Sequence, residues 1–308
     1  MPVTPRGFLA PARGLCYTWA VDALRTYAVV DLETTGLDPA AGDHICEIAI
    51  VRLRGGEVQE AFETLVNPQR SIPAEVQAMT KISSEMVRGA PAFAQIATQV
   101  VKLLANATPV AHNAAFDLSF LDAELRACGA PLLAGPVLDT LALARRCFPG
   151  KGHSLRELNK ALRLGASAAH RARADVETTI ALLQRCEQEL ARTGRASHEA
   201  LLEIAGLVPV RAERGRAWLP LSLARALDAG GEVRMAYRAR SGDITTRVVK
   251  PLRLEAAQNR VYLVAYCKLR GAERTFRTDR IIQAEPCAES KPGLAGRTPW
   301  PTSGGRTW

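Results

Sequence analysis

Two carboxylates, Asp31 and Glu33, close an apolar, β-branched run that starts at Tyr27, and Thr34-Thr35-Gly36 follows them. Residues i and i+2 of a strand point to one face, so both acids project together from the end of a buried strand. Like charges held that close oppose each other's ionisation unless a cation neutralises them. Hard divalent ions such as Mg²⁺ take carboxylate oxygens, so the first expectation is a metal site. Asp-x-Glu is a weak pattern alone. Its place at the end of an apolar strand strengthens it, and so do two clusters downstream.

The first of these is His112-Asn113-Ala114-Ala115-Phe116-Asp117, read as a strand-to-helix junction that puts Asp117 on the first helical turn. The second is His170-Arg171-Ala172-Arg173-Ala174-Asp175, with Asp175 on a helix and His170 at its entry. Singly, Asp117 reads as an acid favoured by the helix dipole, and His170 as a surface-loop histidine. Their joint appearance, in this order and on these elements, points to one constellation of four carboxylates and a histidine.

The elements that must position them follow from periodicity. After the strand at 27–33 come strands at 44–53 and 58–66, read as a meander. Short helices at 73–79 and 83–88 precede an amphipathic helix at 93–106, with Phe93, Ile96, Val100, Leu103 and Leu104 on one face. Then come a strand at 108–112, a helix at 116–128, a strand edge at 137–140, a helix at 141–148, and a helix at 155–162 capped by Ser154. A last helix covers about 172–190. Strands first, then alternating helix and strand, predict an α/β domain with a mixed sheet. Residues 191–219 read as a linker with one short helix near 198–205. After a helix at 221–228, strands are predicted at 232–240, 245–255, 260–268 and 274–282, a second, small all-β domain. The expected division is an N-terminal extension (1–25), a first domain (26–190), the linker, a second domain (220–285) and a disordered, Pro/Gly/Ser/Thr-rich tail (286–308).

The 308-residue chain has a formal net charge of +9, unevenly spread. Residues 1–210 carry 21 basic and 22 acidic side chains, whereas 211–285 carry 16 and 8. A C-terminal basic excess fits a polyanion such as nucleic acid, and equally a solvated Arg-rich face. Seven scattered cysteines without a Cys-x-x-Cys fit reduced thiols rather than a disulfide framework or zinc site. No apolar run is long enough to span a membrane, and the first residues lack a signal-peptide core. The expected location is cytoplasmic.

Asp-x-Glu-Thr-Thr-Gly, His-Asn-Ala-x-Phe-Asp and His-Arg-Ala-x-x-Asp, in that order, resemble the DEDDh 3′→5′ exonucleases, the family of the proofreading epsilon subunit and RNase T. The resemblance covers about residues 26–188 and includes Gly152-His153-Ser154-Leu155. It implies an RNase H-like fold in which Asp31, Glu33, Asp117 and Asp175 hold two Mg²⁺ or Mn²⁺ ions and His170 is the general base. It also implies that Thr34, Gly36 and Leu37 meet the terminal nucleotide; His112, Asn113 and Phe116 are expected to shape its pocket, with purely structural roles the alternative for Asn113 and Phe116. The chemistry agrees. Two ions about 4 Å apart can clamp the attacking and departing oxygens of a phosphodiester, and a histidine titrates near neutral pH.

Val233–Arg238, Arg247–Leu254, Val261–Tyr266 and Arg274–Ile281 resemble a WYL domain, a small Sm-like β-barrel, over about 220–285. Val261-Tyr262-Leu263 stands in place of its namesake tripeptide. The resemblance implies binding of nucleic acid or a nucleotide-like ligand through Arg253, Tyr262, Arg270, Arg277 and Arg280. Guanidinium groups meet phosphate in bidentate fashion and stack on bases, and aromatic rings in a basic groove suit single strands. The overall expectation is a metal-dependent 3′→5′ exonuclease acting on single-stranded DNA, with a replication or repair protein as partner. An exoribonuclease, and a regulatory nucleic-acid-binding protein with a vestigial nuclease, are the alternatives.

Overall fold

The strand that carries Asp31 and Glu33 is buried along both faces, as an interior strand of a sheet must be. The computed structural model describes residues 25–150, 152–165, 171–212, 215–257 and 260–287. His170, residues 1–24 of the expected extension and 288–308 of the expected tail lie outside them.

Strand β1 (Thr26–Thr34) pairs antiparallel with β2 (Ile45–Arg54), and β2 with β3 (Glu57–Leu65), giving the predicted meander. Helices α1 (Ala74–Thr80), α2 (Ser84–Val87) and α3 (Phe93–Leu104) lead to β4 (Thr108–Ala111), which runs parallel to β1. Helix α4 (Ala114–Ala127) then leads to β5 (Val137–Asp139), parallel to β4. Four helices follow: α5 (Thr140–Cys147), α6 (Leu155–Leu162), α7 (Ala172–Ala191) and α8 (His198–Ala205). Ser154 caps α6 as expected, its hydroxyl accepting from the Glu157 N–H, and the Glu157 carboxylate accepts the Ser154 N–H in return.

Period-two alternation gives β1 two cores. Ala28, Val30 and Leu32 pack with α3 and α4 residues such as Val100, Leu103, Leu118 and Leu121. Tyr27 and Val29 pack with α5–α8 residues such as Leu143, Val176, Leu183 and Leu201. Burial of each such side chain contributes about 1.5–3 kcal/mol. Asp31 and Glu33 continue the Tyr27–Val29 face, the one that α7 covers.

Residues 206–212 and 215–219, which read as linker, are strand. Strands β6 (Gly206–Ala212) and β7 (Gly215–Pro220) form a hairpin that pairs antiparallel with β5 and completes a seven-stranded sheet in the order β3-β2-β1-β4-β5-β6-β7. The hairpin is pinned by the buried Asp122 of α4, which accepts from Trp218 Nε1 at 2.9 Å and Arg216 Nη1 at 3.1 Å. Leu207 and Trp218 join the first core, while Leu219, with Val208 and Val210 beside it, joins the core of the second domain.

That domain begins with α9 (Leu221–Ala229), stopped by Gly230 at φ 76°. It continues with β8 (Val233–Arg238), β9 (Ile244–Ala257), β10 (Arg260–Cys267), β11 (Ala272–Arg277) and β12 (Ile281–Pro286). They form an antiparallel five-stranded sheet in the order β11-β10-β9-β8-β12. The small all-β unit is as expected; among the described residues no pairing between β11 and β12 closes a barrel. The single strand predicted at 274–282 is divided. The Thr278 hydroxyl donates to the Val261 carbonyl at 2.9 Å, a 3₁₀ turn occupies Thr278–Arg280, and β12 departs to pair with β8. No helix among the described residues is long and apolar enough to cross a membrane.

Candidate active site

Strand β1 presents Asp31 and Glu33 side by side, and Asp175 descends from the first turn of α7, its N–H bonded to the Arg171 carbonyl at 3.1 Å. Ligand oxygens of these three residues lie within 4.8 Å of one another. Asp117, 4% exposed on the first turn of α4, adjoins them. Its carboxylate accepts the Leu32 N–H and is the largest charge acting on Asp31. The structure thus brings together all four acids singled out in the sequence.

Their electrostatics are those of crowded, dehydrated anions. Burial first, then the charges of Asp117, Asp175, Glu33 and Glu47, hold the Asp31 carboxyl well above its usual range. Glu33 is pushed up to about 8 by burial, Asp175 and Glu47, with Arg171 opposing. Asp117 is raised by burial, and by Asp139 and Glu33, against its backbone hydrogen bonds. Such a donor set, all hard carboxylate oxygens, fits divalent cations such as Mg²⁺ or Mn²⁺.

Two buried acids that the sequence reading passed over organise this cluster. Glu47, 1% exposed, stands directly opposite Glu33 in the β1–β2 register. It grips Arg171 through Nη2 at 2.6 Å and Nε at 3.0 and 3.2 Å, and accepts the Ala172 N–H at 2.9 Å. Strand and helix are thereby tied together at the residue following His170. Asp139, 5% exposed, caps α5 through the Leu141 N–H and accepts the Asn113 N–H, both at 2.9 Å. The signal in each case was a lone acid in or ending an apolar strand.

The expected pocket residues take separate places. Asn113 is exposed at the start of α4 with φ 65°, a left-handed conformation that Asn tolerates. Phe116 packs on Phe120, ring centroids 5.1 Å apart. His112 turns inward: Nε2 donates to the His153 carbonyl at 2.9 Å and Nδ1 lies 3.0 Å from the Thr140 hydroxyl. Both ring nitrogens are engaged by protein, and burial pulls its pKa down to about 4. At the end of β1, the Thr34 hydroxyl donates to the Gly36 carbonyl at 2.6 Å. A Cβ on Gly36 would overlap the Asp43 carboxylate, which itself accepts from Thr35, Asp38 and Arg70. Leu37 is left 84% exposed.

The five second-domain residues are spread over the adjacent strands β9, β10 and β11, the β10–β11 turn and the 3₁₀ turn that follows β11. Tyr262 and Arg277 are cross-strand neighbours, and Arg280 follows in the 3₁₀ turn. Arg253 is exposed and paired with Glu255 and Glu273. Arg270 sits in the β10–β11 turn, about 20 Å along the strand from Arg260.

Residues 28–183 match the RNase T family model, described as exonuclease. The chain belongs to this exonuclease family. Residues 221–286 match the WYL domain model. The chain is 38% identical over 173 residues to DNA polymerase III subunit epsilon of Treponema pallidum, covering 54% of itself and 80% of that protein. It is 43% identical over 154 residues to the 3′-5′ exonuclease DinG of Bacillus subtilis, covering half of itself but only 16% of DinG. Exonuclease I of E. coli, solved with a dT13 oligonucleotide, has a similar fold: TM-score 0.56 at 18% identity, over 78% of this chain and 55% of that one.

Proposed function

We propose that this member of the exonuclease family is a divalent-metal-dependent 3′→5′ exonuclease that cleaves single-stranded DNA or DNA 3′ ends to nucleoside 5′-monophosphates. The observation that carries the reading is the convergence of Asp31, Glu33 and Asp175 within 4.8 Å, with Asp117 adjoining them, on a strand and two helix starts. Asp31, Glu33, Asp117 and Asp175 would hold two Mg²⁺ or Mn²⁺ ions. When bound, the ions would supply charge neutralisation at the phosphate and activation of water.

The chain's own side chains do the rest. His170 would take the proton of the attacking water, and the Glu47–Arg171 grip beside it fixes the start of α7. The turn Thr34–Leu37 would receive the 3′-terminal nucleotide, with Leu37 as the apolar contact. DNA is favoured as substrate because relatives at 38% and 35% identity are a DNA polymerase III subunit epsilon and a DNA polymerase III of PolC type. Such relatives also favour a replication or repair setting. The WYL domain would serve a binding or regulatory role.

Digestion of 5′-labelled single-stranded DNA and RNA, with Mg²⁺ or Mn²⁺ and with chelator, tests this. A metal-dependent ladder shortening from the 3′ end on DNA, lost in His170→Ala, is expected. Cleavage of neither polymer, or cleavage indifferent to metal, would overturn it.

A further inference from the structure

The turn that leaves the catalytic strand touches the second domain. Asp38, next to the exposed Leu37, caps the 3₁₀ turn Pro39–Ala41 with one carboxylate oxygen, and with the other it engages Arg260 of β10. From that contact the outer face of β10 runs Arg260, Tyr262, while Val261 and Leu263 point into the core. Tyr262 lies opposite Arg277 on β11, and the Arg277 guanidinium feels both Tyr262 and Asp38. A half-buried ring flanked by two guanidinium groups therefore begins where the active-site turn ends.

We propose that this edge, Arg260, Tyr262 and Arg277, carries the single DNA strand just upstream of the 3′-terminal nucleotide, so that the second domain sets the enzyme's preference for long substrates. The proposal rests on the exonuclease reading above. Three observations support this occupant. The edge is continuous with the turn at Leu37 through the Asp38–Arg260 contact. The carboxylate cluster repels a polyanion, whereas residues 211–285 carry 16 basic against 8 acidic side chains and attract one. A half-buried ring with guanidinium neighbours offers stacking and bidentate phosphate contact, which suit an unpaired strand.

Acidic groups also face this edge. Arg260 meets Asp38, and Arg277 meets Asp279 with Nε at 3.0 Å from its carboxylate. These groups are partly exposed, and such ion pairs contribute about 0–1 kcal/mol. A phosphodiester can exchange for either carboxylate at little cost.

Steady-state hydrolysis of a thymidine dinucleotide and of a long oligothymidylate by the full chain separates the outcomes. Arg260→Gln and Tyr262→Ala should each raise KM for the long oligomer about tenfold, with the change confined to that substrate. In Arg260→Gln the salt dependence of binding should fall by about 0.7 in log–log slope. Asp38→Asn frees the guanidinium without removing it, so its KM for the oligomer should stay equal or fall. If Asp38→Asn instead matches Arg260→Gln, or if both substrates are affected alike, the pair is a structural brace and the proposal is overturned. If wild type hydrolyses neither substrate, the exonuclease reading fails by itself. Fluorescence anisotropy of labelled oligomer then decides: weaker binding in Arg260→Gln upholds the track, and an unchanged Kd removes it.

Discussion

Glu47 holds Arg171 on two guanidinium nitrogens while facing Glu33 across the β1–β2 ladder. The two partners differ in exposure, 1% for the Glu47 side chain and 41% for Arg171. Removing them is therefore not symmetrical. Arg171→Ala strands a buried carboxylate among other carboxylates and should cost about 3 kcal/mol. Glu47→Ala lets Arg171 turn to water and should cost about 1–2 kcal/mol, chiefly through the unpaired Ala172 N–H. Urea unfolding of the two variants checks the order; equal losses would contradict it.

Asp31→Asn should separate stability from activity. In chelator the substitution relieves the repulsion that Asp117, Asp175, Glu33 and Glu47 exert on Asp31, so the melting temperature should rise. In Mg²⁺ or Mn²⁺ hydrolysis should fall on the order of 10³-fold or more, the scale of losing a directly acting electrostatic group. Thermal melts beside rate measurements test both signs.

The same crowding sets a pH dependence for the metal-free protein. Glu33 has a folded pKa of about 8 against an ordinary 4.5. The folded state binds the extra proton between those values, so its contribution is present below pH 4.5 and lost as pH rises through 8. Stability in chelator should decline over that window, by a few kcal/mol in order of magnitude, and Mn²⁺ should reverse the decline. A melting temperature that climbs steadily with pH in chelator would oppose this assignment.

His112 acts in the other direction. Its folded pKa of about 4 lies below the ordinary 6.5, so the unfolded chain binds the extra proton between them. Stability should fall as pH drops from 6.5 to 4, by on the order of 3 kcal/mol. His112→Gln should flatten that acid limb, measured by denaturant unfolding at a series of pH values.

The acids of the site were legible because local rules suffice for them. The i, i+2 geometry of a strand joins Asp31 to Glu33, and a helix entry places Asp117 and Asp175. The helices at 155–162 and 198–205 were equally plain from the Ser154 cap and from periodicity. What failed depended on distant partners. Pro209, Arg211 and Arg216 gave the β6–β7 stretch a loop-like composition, yet its pairing comes from β5 and its pinning from Asp122, each some seventy residues or more earlier. The corner at Thr278 was hidden for the same reason, since the Val261 carbonyl that holds it belongs to another strand. His112 looked available for substrate until Thr140 and His153 were seen to claim its ring.

The hairpin of β6 and β7 bears on how such an enzyme could be cut or recombined. A break before Gly206 would strip the nuclease sheet of two strands and bare the edge of β5, an invitation to intermolecular pairing. A break after Pro220 would take Leu219, with Val208 and Val210, out of the second core. Neither half is a cassette that lifts out cleanly. A chimera carrying this second domain to another nuclease would need the hairpin as its splice, with a counterpart of Asp122 waiting on the recipient's helix.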